Sequence, residues 1–316
     1  MAESGPFDLE ADVRWSDRAG PVLFQGERFD AVNSHGASTY ILFGQAEIVA
    51  SDRLMTVVDP QLPGWIAAGF QEFGPRVADH YADRLGPGAF GRPTIMASWN
   101  GPTPGLFSMG GSVMPGLIVM NFDGVGVVRP SAGVLNMARW FIGHESAHFW
   151  LGQVVRYERA RDAWIMEGGA DLMAIRALKT IDPAYDARAE LQKEVDDCIR
   201  LADEPVVQAA ERGEHRAIYA CGAVFGMVAE GAQRRATGGD WFDFLRPLID
   251  ANRADGVLTR DEWLDTLDAV SRDASLRRDI ELLLDRGSDE PDAVIAGLFD
   301  RSGVAYRRDG GRTRLD

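Results

Sequence analysis

Apolar residues alternate with polar ones in short runs over the first part of the chain, and recur every three to four residues over the rest. From about Val22 to Val128, the runs ASTYILFGQAEIVAS (residues 37–51), LMTVVD (54–59), RPTIMAS (92–98) and GLIVMNF (116–122) are rich in β-formers and bounded by Gly, Pro, Asn and Asp. That is the pattern of strands. One helical stretch interrupts them, about Gly64 to Leu85, closed by Gly86-Pro87-Gly88 and carrying a Gly74-Pro75 pair placed to kink or split it. From Ser131 onward the spacing predicts helices over about 132–153, 163–180, 184–203, 215–236, 240–252, 260–272, 276–285 and 291–301. Asp162, Thr259 and Ser288 fall at or beside N-cap positions. The tail RRDGGRTRLD is expected to fray. A strand-rich part followed by a helical part predicts an α+β fold: an N-terminal extension over residues 1–30, a β-rich lobe with one helix over 31–130, and a helical lobe over 131–316. Clefts between lobes are where sites tend to form.

Composition adds exclusions. With 316 residues, 46% hydrophobic and 26% charged, the chain is long enough for one large domain or two ordinary ones. A net charge of −15 and a pI near 4.8 exclude a broad basic footprint for nucleic acid and argue against docking on anionic lipid. The acidic residues are spread along the chain, as on a solvated surface. The opening MAESGPFDLE has neither a basic segment nor an apolar run, so no signal peptide is expected. The most apolar stretch, PGLIVMNFDGVGVV, is cut by Asn121 and Asp123 and is too short to span a bilayer. An exported protein without its leader would read the same, so compartment stays open, as does oligomeric state. Cys198 and Cys221 are too few for a disulfide scaffold and are expected as two buried thiols rather than one bridge.

The chemistry concentrates in FIGHESAHFW, residues 141–150, which hold two of the five histidines. On a helix, His144 and His148 lie one turn apart on the same face and can aim both imidazoles at one point. Glu145 is about 100° round the helix, at the edge of that face. Hydrolytic zinc sites use this spacing because two neutral nitrogens hold the metal while the neighbouring carboxylate handles the proton. The flanking residues Val134, Leu135, Met137, Trp140, Phe141, Ile142, Phe149, Trp150 and Leu151 predict a buried helix. Its polar groups then need partners, since an unpaired buried one costs roughly 1–3 kcal/mol. The competing reading is two core histidines bonded to backbone carbonyls. A third ligand is available in AWIMEGGADLMA, where Glu167 follows His148 after eighteen residues, in a second helix. The intervening segment is long enough to reverse the chain. Asp171, one turn beyond Glu167, is placed either to bond the far nitrogen of a ligand histidine or to sit on a solvated helix edge.

With these residues the sequence resembles the gluzincin metallopeptidases, and within them the aminopeptidase N family. That family carries His-Glu-x-x-His-x-Trp-x-Gly-Asn and then Trp-Leu-x-Glu-Gly-x-Ala at the same separation. Here the segments read HESAHFWLGQ, with Gln153 in place of the asparagine, and WIMEGGA. Trp150, Gly152, Gly168 and Ala170 fall on the pattern, and Tyr219 and Gly222 match a downstream Tyr-x-x-Gly. The resemblance implies a thermolysin-like, two-lobed fold and one Zn²⁺ per chain held by His144, His148 and Glu167. It also implies Glu145 as general base, Tyr219 as donor to the oxyanion, and a peptide substrate laid along Gly111, Ser112, Val113 and Met114.

Departures are equally specific. The family's substrate strand reads Gly-x-Met-Glu-Asn followed by Trp-Gly-Leu-Ile, and its glutamate holds the substrate's free amino group. This chain has GGSVMPGLIVMNF, with Pro115 leading straight to Gly116, so the choice between aminopeptidase and endopeptidase stays open. Gly116, Leu117 and Ile118 are expected to end that strand. Against that resemblance, the family's β domain ahead of the catalytic unit is expected to be missing here or reduced to about residues 1–30. Two further readings share the same residues: a zinc-binding scaffold without activity, and a zinc hydrolase of a non-peptide substrate.

Overall fold

The computed structural model describes residues 11–24, 27–35, 41–44, 47–105 and 107–316. It is a mixed α and β molecule whose chain divides into two compact units, residues 1–72 with 92–134 and residues 73–91 with 135–316. No helix among the described residues is long and apolar enough to cross a membrane.

The first unit opens with two small antiparallel pairs. Strand β1 (Asp12–Trp15) pairs with β4 (Val32–His35), and β2 (Val22–Phe24) with β3 (Glu27–Phe29). A five-stranded sheet follows, made of β5 (Glu47–Ala50), β6 (Met55–Val58), β7 (Thr94–Trp99), β8 (Ser108–Met114) and β9 (Leu117–Asp123) in the order β5-β6-β7-β9-β8. The three inner strands are parallel and the two outer ones antiparallel to them. Helix α1 (Gly64–Leu85) connects β6 to β7 as a crossover. It is a single helix despite Pro75, so the expected split does not occur. Ile66 and Phe70 on its first half are buried, and Phe70 meets Phe122 of β9 edge to face at 5.4 Å. Leu23, Val57, Met96 and Leu117 form another core cluster in this unit.

The expected strand run over 37–51 forms a strand only at β5; Leu42 makes an isolated bridge to Leu23, and residues 37–40 and 45–46 lie outside the described residues. Gly116, Leu117 and Ile118 do not end the strand that holds Gly111 to Met114. Pro115 and Gly116 form a two-residue turn, Met114 pairs with Leu117, and Leu117 begins β9. Gly116 has φ +68°, a conformation that glycine adopts without steric cost and that makes the tight reversal possible.

In the second unit the helices are α2 (Ala132–Ala147, its first residues belonging to the first unit), α3 (Trp164–Ile181), α4 (Ala187–Leu201), α5 (Arg216–Thr237), α6 (Trp241–Asn252), α7 (Arg260–Ser271), α8 (Ala274–Asp285) and α9 (Pro291–Ser302). A short parallel pair joins β10 (Arg156–Tyr157) to β11 (Val257–Leu258). Thr259 caps α7 in a reciprocal pair with Glu262, as its type and spacing predict. Asp162 does not cap α3; it is buried in the turn before it, and Ala163 occupies the cap position. His80 lies half-buried on α1 against Phe242.

Three further expectations change. Helix α2 ends at Ala147 rather than near 153: residues 148–150 tighten into three-residue hydrogen bonds, and Gly152 at φ +140° turns the chain away. Its first six residues are not buried, Met137 being 46% exposed, and burial begins at Ala138. The C-terminal tail is a hairpin, β12 (Tyr306–Asp309) with β13 (Arg312–Leu315), reversed by Gly310 and Gly311 at φ +56° and +83°. Thr313 and Leu315 are buried, which ties the tail down.

Cys198 and Cys221 form a disulfide, correcting the expectation of two thiols. Packing brings their helices, α4 and α5, side by side with these Cα atoms 4.7 Å apart, a juxtaposition that spacing along the chain does not encode. Titration of the unfolded, unreduced protein with a thiol reagent should find no free thiol, and two after reduction. Removing the bridge by a double Cys→Ala substitution should lower stability by about 3 kcal/mol.

The tightest packing is between α3 and α5. A Cβ at Gly168 would lie 2.2 Å from the carbonyl carbon of Gly222, and one at Gly222 would lie 2.2 Å from the carbonyl oxygen of Trp164. Backbone cannot yield as a side chain can. Gly222→Ala should therefore destabilise by about 1–3 kcal/mol or more, whereas Gly64→Ala, with open space around it, should be near neutral. Urea unfolding midpoints check both.

Candidate metal centre

All the residues of the centre lie in the second unit. His144 sits in the last turn of α2, and His148 just beyond that helix, held in helical register by His148 N–H bonding to the Glu145 carbonyl. Gly143 lets this end of α2 approach α3: a Cβ there would lie 3.1 Å from that of Ala174. The Tyr81 hydroxyl donates to the Gly143 carbonyl at 3.0 Å, and Trp150 donates its ring N–H to the Gly86 carbonyl. These bonds fix the histidine segment from the α1 side. Glu167 sits in the first turn of α3, preceded by the buried Trp164, Ile165 and Met166.

The three expected ligands converge. His144 Nε2 and His148 Nε2 are 3.2 Å apart, and Glu167 Oε2 is 3.5 Å from each. A tetrahedral zinc with bonds of 2.0–2.1 Å requires ligand atoms about 3.3–3.4 Å from one another, so the triangle has the right size. Hydrogen bonding at the outer nitrogens fits the same arrangement. His144 Nδ1 donates to Asp171 Oδ1 at 2.8 Å, and His148 Nδ1 donates to the Leu151 carbonyl at 2.9 Å. With both Nδ1 positions committed as donors, the Nε2 atoms are the ones left to face each other and the Glu167 carboxylate, where either a proton or a cation can stand between them. Among the described residues this is the one group of three or more His, Cys, Asp or Glu so arranged.

The charges around the three side chains favour positive charge at the same place. Burial pulls the His144 imidazole down, but Asp171, Glu167 and Glu145 around it outweigh burial and carry it up to about 10. Burial pushes Glu167 up, but hydrogen bonds from the two histidines carry it well below the usual carboxylate range. Glu145 is buried and its carboxyl is raised, chiefly by desolvation. Tyr219 lies on the first turns of α5, its ring stacked on that of His144 at 5.8 Å. Burial raises its phenol, and the nearby Glu167 carboxylate raises it further, so the hydroxyl remains a donor at neutral pH. Asp171 is fully buried, which excludes the solvated-edge reading.

Gly111, Ser112, Val113 and Met114 are in β8, at an edge of the sheet in the first unit, paired on one side with β9. One group was not singled out by the sequence: Arg216, at the start of α5, whose guanidinium reaches Asp171, Glu194 and Asp197. An arginine at a helix N-terminus carries no motif, and its partners are distant along the chain.

No protein-family model matches the sequence, and no curated protein is significantly similar to it. Solved structures are similar in fold. An aminopeptidase N family protein from Idiomarina loihiensis superposes with a TM-score of 0.63 at 13% identity, covering 92% of this chain and 55% of that one. Yeast LTA4 hydrolase gives 0.63 at 15% identity, covering 90% and 48%. An M1 zinc metallopeptidase from Deinococcus radiodurans, solved with a Tyr-Ser-Ala substrate, gives 0.52 at 14% identity, covering 78% and 54%. The chain spans about half the length of the structures it matches. At such identities the likeness is one of fold, and the fold is one shared with zinc metallopeptidases.

Proposed function

We propose that the protein is a zinc-dependent peptidase with the two-lobed, thermolysin-like architecture of the aminopeptidase N family's catalytic region. The observation that carries this reading is the triangle of two Nε2 atoms and one carboxylate oxygen, 3.2–3.5 Å on a side, with both Nδ1 atoms engaged elsewhere. His144, His148 and Glu167 would hold one Zn²⁺, with Asp171 orienting His144. Zinc bound there supplies Lewis acidity, which polarises a carbonyl and makes water acidic near neutral pH.

The chain's own groups do the rest. Glu145, buried and with a raised carboxyl, takes the proton of the attacking water and passes it to the leaving amine. The Tyr219 hydroxyl, kept protonated, donates to the oxygen that gains charge as the carbonyl becomes tetrahedral. Gly111, Ser112, Val113 and Met114 would offer an extended peptide the free side of β8, as a strand adds to a sheet edge. No Glu-Asn pair follows Met114, and the chain turns at Pro115-Gly116 instead, so the group that would hold a free substrate amine in the family is missing from this strand. That favours activity on peptides irrespective of a free N-terminus.

Purified protein should hold one zinc per chain and cleave matched peptides with free and with blocked N-termini. A chelator should abolish this cleavage and added zinc restore it. Cleavage of the free form alone would restore the aminopeptidase reading, and zinc-loaded protein inert on every peptide would favour a scaffold or another substrate. Glu145→Gln should keep the zinc and lose roughly 10²–10⁴-fold in turnover; full turnover in that variant would remove Glu145 from its role. Tyr219→Phe should lower kcat by roughly one to three decades with metal content unchanged.

A further inference from the structure

Asp171 is fully buried, and its two oxygens face different partners. Oδ1 accepts from His144 Nδ1 at 2.8 Å, and Oδ2 faces Arg216 Nη1 at 3.5 Å. The same guanidinium has its other two nitrogens engaged: Nη2 donates to Glu194 Oε1 at 2.6 Å and Nε donates to Asp197 Oδ2 at 2.8 Å. One cation thus joins three carboxylates from two helices, Asp171 on α3 and Glu194 and Asp197 on α4, while itself standing on the first residue of α5. The cluster is clamped. Cys198, next to Asp197, is bridged to Cys221, on the turn of α5 that follows Arg216. Gly168 and Gly222 hold the α3 and α5 backbones in contact beside it.

The charges explain why the cation is needed. Asp171 and Glu194 are both buried, and burial together with Asp171 pushes the Glu194 carboxyl up. Without Arg216, two buried carboxylates would share a region with no compensating charge. Asp171 would then lose the contact that fixes its second oxygen and could swing away from His144. That movement frees His144 Nδ1, and with it the orientation that presents Nε2 to the metal. A planar fork is the suitable group: a lysine ammonium at this position would carry the charge but could not span three carboxylates in fixed directions.

We propose that Arg216 is a positioning residue of the metal centre, holding the Asp171 carboxylate in place and aimed at His144 from the side away from the Nε2 atoms. This rests on the reading of His144, His148 and Glu167 as zinc ligands, and it adds a support that the motif spacing does not contain.

The test is zinc affinity, measured by competition with a chromogenic chelator on the full chain, in a double-mutant cycle of Arg216→Met and Asp171→Asn. Each single variant should weaken zinc binding by about 10–100-fold, the range for groups that orient a ligand histidine. The double variant should bind no more weakly than Asp171→Asn alone. Arg216→Lys should recover only part of the loss, and the visible absorption of the cobalt-substituted protein should shift in Arg216→Met and Asp171→Asn alike. Far-UV circular dichroism establishes that each variant is folded; should Arg216→Met fail to fold, Arg216→Gln takes its place in the cycle. Wild-type affinity in the folded Arg216 variant, or an equal further loss on the Asp171→Asn background, overturns the proposal while leaving the zinc centre intact. A wild-type chain that binds no zinc overturns the centre and this proposal together.

Discussion

The contact of two helix backbones at Gly168 and Gly222 is the constraint on which the centre depends. Glu167 immediately precedes one of these glycines and Tyr219 lies three residues before the other. Pressing α3 and α5 together until no Cβ fits between them brings the metal-facing carboxylate and the phenol to one place. A larger residue at either position would move the helices apart by the width of a side chain. The disulfide between Cys198 and Cys221 then fastens α4 to the same stretch of α5. Three helices are therefore locked beside the centre by two close approaches and one covalent bond, and the side chains on them inherit that rigidity.

Electrostatics supplies the second layer. His144, Glu145, Asp171 and Glu194 are all buried, a concentration of ionisable groups that an apolar interior resists. Three of the four are answered by a named partner: His144 by Asp171, Asp171 by Arg216, and Glu194 by Arg216. The two Nε2 atoms and the Glu167 carboxylate meet at one point, 3.2–3.5 Å apart, a group of the size a divalent cation would fit. The proposed chemistry would draw on the same arrangement, since the raised carboxyl of Glu145 and the raised phenol of Tyr219 both respond to the groups around that point.

The two units differ in how far their residues could be read from the chain. Most helices of the second unit begin and end within a few residues of the positions their apolar spacing predicts, because each presents an amphipathic stripe and several carry local signals such as the Thr259–Glu262 capping pair. The inner strands of the sheet were equally plain as runs of buried β-formers. The misreadings have local causes. Helix α2 stops six residues early because the segment after Ala147 turns under the control of Gly152, while its residues remain apolar and so continue the pattern. The polar C-terminal segment forms a hairpin because two consecutive glycines reverse it and Thr313 and Leu315 find burial, a gain invisible in their own composition.

The sequence by itself determined that His144, His148 and Glu145 would share a helical face or its edge, that Glu167 and Asp171 would share another, and that Tyr219 would open a later helix. Those relations depend only on the 3.6-residue repeat, which is local. Tertiary structure decided that the two faces meet, that Nε2 and Oε2 come within 3.5 Å, that the two cysteines join, and that Arg216 closes on Asp171 from a third helix. These depend on how closely backbones approach and on which buried charges must be neutralised, and both are properties of segments brought together in space rather than of any one stretch of chain.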